Sequence, residues 1–249
     1  MVTVIEPTAG TDEAEWAAWL PGVAWPALDV GALTGRPVLV LAAHPDDEVL
    51  GVGGLVHLLS RAGASLRFVW ATDGEGSHPG SASPVVGQLP VLRRQESAAA
   101  LAELGVDDAQ SEHLGLPDGA LAGCEHDLAT ALGPLVTAGD LLLAPWSGDG
   151  HPDHEAVGRV ALSLGRSLGS PVLEYPVWAW SWGHPADRRV PWDRARRVAL
   201  DPAARAAKAA ATACFRTQVE PIGPGPWDGP VVPERVLAHF RRDAELVLA

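Results

Sequence analysis

The chain has 249 residues, 47% of them hydrophobic and 20% charged, enough to bury the core of one domain or of one domain with appendages. Its formal net charge of −13 argues against a nucleic-acid backbone or an anionic membrane surface as partner. The two cysteines, Cys124 and Cys214, stand far apart in no ligand-like spacing, which favours free thiols in a reducing compartment over a disulfide framework.

The chain opens on Thr3, Glu6, Thr11, Asp12 and Glu13, with neither the basic start nor the apolar run of a signal peptide. No stretch reaches the ~20 apolar residues of a membrane helix. A soluble, cytoplasmic protein without a membrane span is expected. Residues 1–35, rich in Pro, Gly and Ala and carrying Trp16, Trp19 and Trp25, read as an arm with one short helix, packed on a single domain spanning 36–249. From Arg36 strand-like and helix-like segments alternate. The apolar run 38–43 reads as a buried strand and 48–62 as a helix, followed by strand 66–71 and a polar loop 72–89. Helix 91–105 ends on Gly105 in the C′ position, and a short strand near 112–114 leads to the turn 116–119. Helix 125–137, strand 140–144, helix 153–168 and strand 172–175 come next. The last third is less regular: a Trp-rich piece, strand 196–200, helix 202–215, a Pro/Gly loop 221–230 and a final amphipathic helix 232–246. This βα alternation predicts an α/β fold, a doubly wound (Rossmann-like), mostly parallel sheet flanked by helices, with right-handed crossovers. The loops 72–89 and 221–230 have the length and composition of lids or binding loops.

Chemistry concentrates where two of these strands end. After the first strand come His44, Pro45, Asp46, Asp47 and Glu48; after strand 140–144 come Asp149, Gly150, His151, Pro152, Asp153 and His154. In a parallel sheet both clusters fall at the carboxyl edge, where open α/β sheets place their sites. Three adjacent carboxylates at the end of a buried strand repel one another, and a cation relieves that repulsion. His44, His154 and one carboxylate make a ligand set that leaves positions open for water and substrate. The spacing leaves open which of Asp46 and Asp47 is the ligand. The remaining Asp, His151 and Asp153 supply the proton acceptor and oxyanion stabiliser a hydrolytic site needs. Each motif alone reads more simply as a helix start, with Asp46 or Asp47 as a cap, or Pro152 and Asp153 in a first turn. Two such motifs on one edge favour the metal.

The segment 43–48 together with His151-Pro152-Asp153-His154 resembles the paired signature of the LmbE-like, or PIG-L-type, zinc-dependent de-N-acetylases. Arg94-Gln95-Glu96 and Leu114-Gly115-Leu116-Pro117-Asp118-Gly119 are similar to further landmarks of that family, so the resemblance covers about 36–175. It implies a small-molecule substrate, an N-acetylglucosamine-type amino-sugar conjugate, and a Zn2+ cofactor, with Fe2+ or another divalent metal as the alternative. It implies that His44, Asp47 and His154 bind the metal. Asp46 would be general base and later proton donor, His151 would stabilise the oxyanion, and Asp153 would orient and charge the His151 ring. Some relatives carry a tyrosine two residues before the first histidine of the second motif; here that position is Asp149, and the one tyrosine of the chain is Tyr175.

Substrate contacts are expected from Arg93 or Arg94 at the start of the helix after the long loop, with a solvated pair as the plainer reading. In a strand Trp178, Trp180 and Trp182 would share one face and could stack on a sugar, although such a ladder is more often core or interface. Exposed tryptophans would favour a homo-oligomer. Asp73 reads equally as a partner of the site or a turn residue, and His184 and His239 as ordinary polar positions. Rivals to the hydrolase are a mononuclear iron oxygenase, disfavoured by the βα alternation, and a non-catalytic sugar-binding protein, disfavoured by the complete residue set. An amidase acting on a thiol conjugate or another acylated amine is the alternative within the hydrolases.

Overall fold

Every residue of β1 (Val38–Ala42) is buried, the pattern of a strand covered by helices on both sides of its sheet. The computed structural model, which describes residues 10–249, places β1 inside a seven-stranded sheet. Two short helices precede it, α1 (Glu13–Trp19) and α2 (Val30–Leu33). After it come α3 (Asp47–Arg61), β2 (Leu66–Trp70), α4 (Leu89–Glu103), β3 (Gln110–His113), α5 (Glu125–Leu132), β4 (Leu141–Pro145), α6 (Pro152–Leu168) and β5 (Val172–Tyr175). The chain closes with α7 (Ala179–Trp182), β6 (Ala195–Ala199), α8 (Pro202–Cys214), α9 (Arg216–Val219), α10 (Glu234–Leu237) and β7 (Ala244–Leu248). The strand order is β3-β2-β1-β4-β5-β7-β6, with β1 to β5 parallel and β7 antiparallel to both its neighbours. The winding reverses between β1 and β4, which pair directly from Val38 opposite Leu141. Their carboxyl ends therefore flank the crevice in which such sheets bind ligands.

Side chains of β1 alternate between two cores. Val38, Val40 and Ala42 pack with Leu55, Leu59, Leu101 and Phe215 from α3, α4 and the end of α8. Leu39, Leu41 and Ala43 pack with Leu128, Leu132, Val157 and Val160 from α5 and α6. Each fully buried Leu or Val contributes on the order of 2 kcal/mol. Among the described residues no helix is long and apolar enough to cross a membrane.

Three expectations are corrected here. The final helix 232–246 is only the single turn α10; the chain then becomes β7, because Ala244–Leu248 pairs with all five residues of β6 and so joins the sheet. The Trp-rich piece is the helical turn α7, so Trp178, Trp180 and Trp182 do not share a strand face. Helix 125–137 stops at Leu132, where Gly133 and Pro134 tighten the chain into a 3-10 turn. Of the arm 1–35, residues 1–9 lie outside the described residues. The rest holds two short helices, fastened by Trp16, which is fully buried edge-on to Trp180 (5.1 Å between rings) and donates its Nε1 hydrogen to Trp180 O. Trp19, Trp25 and Trp192 complete this indole cluster.

α3 is broken in the middle: Val52 leaves helical geometry at φ −138° and ψ 18°. The groups freed by the break are satisfied by a buried ion pair from the far end of the chain. Lys208 Nζ donates to Leu50 O at 2.7 Å and to Glu245 Oε1 at 2.7 Å, while Glu245 accepts the Gly54 and Leu55 amides at 2.7 and 2.8 Å. The Tyr175 ring fills the space over Gly51, where any Cβ would lie 2.2 Å from a ring carbon. The first half of α3, which carries Asp47, is thus set by contacts made with β5, α8 and β7.

Lys208→Met strands a buried carboxylate and should destabilise the fold by about 3–5 kcal/mol, with the Lys208→Met/Glu245→Gln pair recovering part of the loss. Urea unfolding of the three proteins measures both.

Candidate metal centre

The turn after β1 is held by backbone amides. His44 N–H donates to Asp47 Oδ2 at 2.8 Å, and Asp46 N–H to Glu48 Oε2 at 3.2 Å. Neither Asp46 nor Asp47 caps α3, so both carboxylates remain free to face the crevice. Asp46 adopts φ +127°, a backbone conformation that favours glycine and that strains any other residue. After β4, the loop 146–151 presents the second motif. Gly158 lets α6 pass close over the end of β4, since a Cβ there would lie 2.6 Å from Pro145 O. His154 is thereby brought opposite His44.

Three donor groups converge. His154 Nε2 lies 3.1 Å from Asp47 Oδ1 and 3.3 Å from His44 Nδ1, and His44 Nδ1 lies 3.4 Å from Asp47 Oδ2. Ligand atoms about 2.0–2.1 Å from a tetrahedral zinc stand roughly 3.3 Å apart, so the two imidazole nitrogens are spaced for one small cation, with Asp47 turning a different oxygen to each of them. Nitrogens of His44, His151 and His154 also fall within 4.8 Å of one another. Each imidazole of the convergent pair is oriented through its other nitrogen, as metal-binding histidines are. His154 Nδ1 donates to Asp149 Oδ2 at 2.8 Å. His44 Nε2 lies 3.1 Å from Asp118 Oδ1 and 3.2 Å from Asp153 Oδ2. Asp149 is completely buried and also accepts the amides of Val177, Trp178 and Ala179.

Asp153 therefore turns its carboxylate to His44, with the amides of Gly119 and Leu121 as its other partners, and not to the His151 ring as expected. What Asp153 offers His151 is its backbone: the Asp153 N–H donates to His151 Nδ1 at 3.3 Å. That bond puts the proton of neutral His151 on Nε2. Sequence reasoning gives Asp118 and Asp149 no role. Asp118 appears there only within the turn 116–119 and a stretch similar to a family landmark, and Asp149 as the first residue of the second polar cluster, at a position where some relatives carry tyrosine. Both follow strand ends on the carboxyl edge, which is the one signal the sequence carries for them.

Charge explains the protonation pattern. Burial would depress His44 and His154, but hydrogen bonds donated by the His44 ring to Asp118, Asp153 and Asp47 lift His44 well above the imidazole range. The charge of Asp47 and contact with Asp149 lift His154 to about 9. Burial works against Asp47 as an anion, yet the His154 charge and hydrogen bonds from both histidines hold it well below the carboxylate range. The carboxylates thus hold positive charge in the crevice, and a divalent cation would take the place of the ring protons. Asp46 is different: burial pushes it up to about 7, with the Arg93 cation opposing and Asp47 reinforcing. Burial and the adjoining His154 and His44 charges push His151 down to about 3, so it is neutral. Burial also raises Glu48, to about 8, consistent with support of the turn.

The cleft above these groups encloses about 370 Å³. Arg93 is buried; its terminal nitrogens donate to Gly74 O and Pro45 O, and Nη2 lies 3.2 Å from Asp46 Oδ1. It positions the Asp46 carboxylate. Arg94 forms a two-pronged pair with Asp73, which also holds His113, so neither Arg94 nor Asp73 enters the cleft. Trp178 lines the cleft and stacks on His151 at 6.4 Å between rings, whereas Trp180 is buried in the indole cluster away from it. Trp182 donates to Asp149 O at 2.6 Å and stacks on Trp146. The Tyr175 hydroxyl is buried, donating to Leu41 O at 2.6 Å. Loops 72–89 and 221–230 both reach the cleft, bringing Gly76, Ser77 and His78 from one and Pro226, Trp227, Gly229 and Pro230 from the other.

Residues 39–164, half of the chain, match the family model described as PIG-L: GlcNAc-PI de-N-acetylase. The chain is 34% identical over 133 residues to a protein of Bacillus subtilis (strain 168) named probable N-acetyl-alpha-D-glucosaminyl L-malate deacetylase 2, covering 50% of this chain and 58% of that one. It is 36% identical over 149 residues to the 1D-myo-inositol 2-acetamido-2-deoxy-alpha-D-glucopyranoside deacetylase of Mycobacterium sp. (strain KMS), covering 49% and 48%. The chain thus spans about half the length of these curated relatives. Its fold superposes on a conserved protein from Thermus thermophilus with a TM-score of 0.54 and 29% identity, over 74% of this chain and 80% of that one.

The strained backbone at Asp46 is separable from its carboxylate. Asp46→Gly should be about 1 kcal/mol more stable than Asp46→Ala, because both remove the charge and glycine alone relieves the positive φ. Denaturant midpoints of the two variants give the difference.

Proposed function

Because the chain belongs to the PIG-L, or GlcNAc-PI de-N-acetylase, family, we propose that it is a zinc-dependent hydrolase removing the N-acetyl group from an N-acetylglucosamine-type conjugate, with release of acetate and a free amine. The observation that carries this reading is the convergence of His44 Nδ1, Asp47 and His154 Nε2 within 3.4 Å, beside an Asp46 carboxylate held by Arg93. Those three residues would hold the metal, with two nitrogens and a carboxylate suiting zinc first and ferrous iron second. A divalent cation there supplies Lewis acidity, bringing the pKa of a water towards neutrality and polarising a carbonyl.

The chain's own residues divide the remaining work. Asp46, held through Oδ1 by Arg93, takes the proton of the attacking water and returns it to the departing amine nitrogen. Its raised affinity for protons, about 7, suits a group that must both accept and donate near neutral pH. Neutral His151, with its hydrogen on Nε2, donates to the acetamide oxygen as negative charge develops there. The Asp149 carboxylate is engaged by His154 and three amides, so it takes no part in binding that oxygen, and His151 is the side chain left to do so beside the metal site. Trp178, stacked on His151, holds the ring and walls the acetamide site. Two free cysteines suit a reducing compartment, and we place the protein in the cytoplasm.

Purified protein should contain about one zinc or iron per chain, and Asp46→Asn should keep that metal while losing acetate release from N-acetylglucosamine conjugates. Elemental analysis and an acetate assay on the same preparation read both; loss of metal in Asp46→Asn would exchange the roles of the two aspartates.

Asp46 works ionised, so kcat/KM should fall as pH drops through its pKa, on an acid limb at or below pH 7 once a cation is bound. Removing the opposing Arg93 charge favours the protonated form, and Arg93→Met should move that limb up by about one pH unit. A pH–rate profile with an unmoved limb would leave Arg93 a packing role alone.

A further inference from the structure

We propose that the outer part of the cleft is a subsite for an uncharged aglycone, bounded by the indoles of Trp178 and Trp227 and hydrogen-bonded through His78. The proposal rests on the deacetylase reading for the identity of the sugar, and extends it to what the sugar carries.

Trp227 is 66% exposed, the one tryptophan among the described residues to stand as an exposed large apolar side chain. It is not a scattered surface residue: it lines the cleft together with the apolar Val177, Trp178, Pro226, Pro230 and Val231. Its loop is laced to the opposite one. Ser81 Oγ donates to Asp228 Oδ1 at 2.6 Å, Ser83 Oγ to Ile222 O at 2.8 Å, and the Gly225 amide to Asp228 Oδ2 at 2.8 Å. Trp227 is therefore held at the mouth by the residue next to it, with Gly80 beside its ring. A sugar or aryl ring has the flat apolar face that such a lining removes from water.

His78 supplies the polar contact. It is 5% exposed, lines the cleft, and its Nδ1 lies 3.0 Å from Ser77 Oγ, while its Nε2 has no hydrogen-bond partner. The ring also lies against the Gly229 backbone. A buried ring nitrogen without a partner is unfavourable until a ligand hydroxyl satisfies it.

Charge selects against anions. Among the described residues lining the cleft no lysine occurs, and the one arginine, Arg93, has both terminal nitrogens committed to Gly74 O, Pro45 O and Asp46. Arg94, the other cation of that helix start, is turned away to Asp73. Asp46, Asp47 and Asp118 line the floor. In the outer part of the cleft, away from the histidines and the metal site on the floor, a carboxylate or phosphate on the aglycone would find no lysine or uncommitted arginine to pair with, whereas a neutral ring or polyol needs none.

The test is calorimetric binding to the full metal-loaded chain of three probes, the methyl, phenyl and 4-carboxyphenyl glycosides of N-acetylglucosamine, with acetate release followed in parallel. Phenyl should bind about tenfold tighter than methyl, and 4-carboxyphenyl about fivefold weaker than phenyl. Trp227→Ala should erase the phenyl-over-methyl preference and Trp227→Phe should restore most of it; His78→Ala should weaken an inositol glycoside of N-acetylglucosamine more than the phenyl one. Binding of the carboxyphenyl probe as tight as phenyl, a phenyl preference that survives Trp227→Ala, or no binding of any probe overturns the subsite. Ordered binding with no acetate from any probe leaves the subsite standing and overturns the deacetylase reading, while acetate release without discrimination does the reverse.

Discussion

The carboxylates gathered at the carboxyl ends of β1 and β4 are the constraint around which the rest of this molecule is arranged. Asp46, Asp47, Glu48, Asp149 and Asp153 are all buried, and Asp118 closes over them from the turn after β3. An unpaired carboxylate in such a place is strongly unfavourable. Each one is therefore matched with a cation, an imidazole or backbone amides, and the crevice as a whole holds positive charge on His44 and His154. A divalent cation would satisfy the same demand with one ion.

Tethering is what gives chemically identical aspartates separate tasks. Asp47 has one oxygen on the His44 amide and the other toward His154, the placement on which its proposed role as a ligand rests. Asp46, displaced by a positive φ, meets only Arg93 and keeps an affinity for protons near neutrality. Asp149, Asp118 and Asp153 are each anchored by amides and present one oxygen to an imidazole, which orients the rings. The strain at Asp46 and the break at Val52 are tolerated because the surroundings over-determine them. Lys208 and Glu245 close the break, and the Tyr175 ring occupies the space over Gly51.

The regular part of the fold was legible because it rests on local pattern. The runs at β1 and β4 are apolar on both faces, and those at β2 and β5 carry one charged residue each, Arg67 and Glu174. Helices α3, α4 and α6 start at proline or acidic residues and run out at glycine or basic ones, so these boundaries shifted by only one or two residues. The C-terminal third was harder for a definite reason. The segment 232–246 has apolar spacing that a helix can use, but the edge of β6 offers five backbone partners to Ala244–Leu248, and pairing outweighs that preference. The tryptophans at 178, 180 and 182 alternate in sequence, yet a single helical turn sends Trp178 to the cleft, Trp180 to the indole cluster and Trp182 to Trp146.

By itself the sequence determined the sheet class, the edge on which the site lies and the identity of the histidines and aspartates there. Those features follow from periodicity within a few residues and from what donor atoms a side chain carries. Which aspartate serves which imidazole, that Arg93 holds Asp46 while Arg94 does not, and that Trp227 and His78 face the same cleft were decided only by tertiary structure. Those contacts join positions far apart in the chain, 109 residues in the case of His44 and Asp153, and hydrogen bonds of about 3 Å are set by how strands and helices pack.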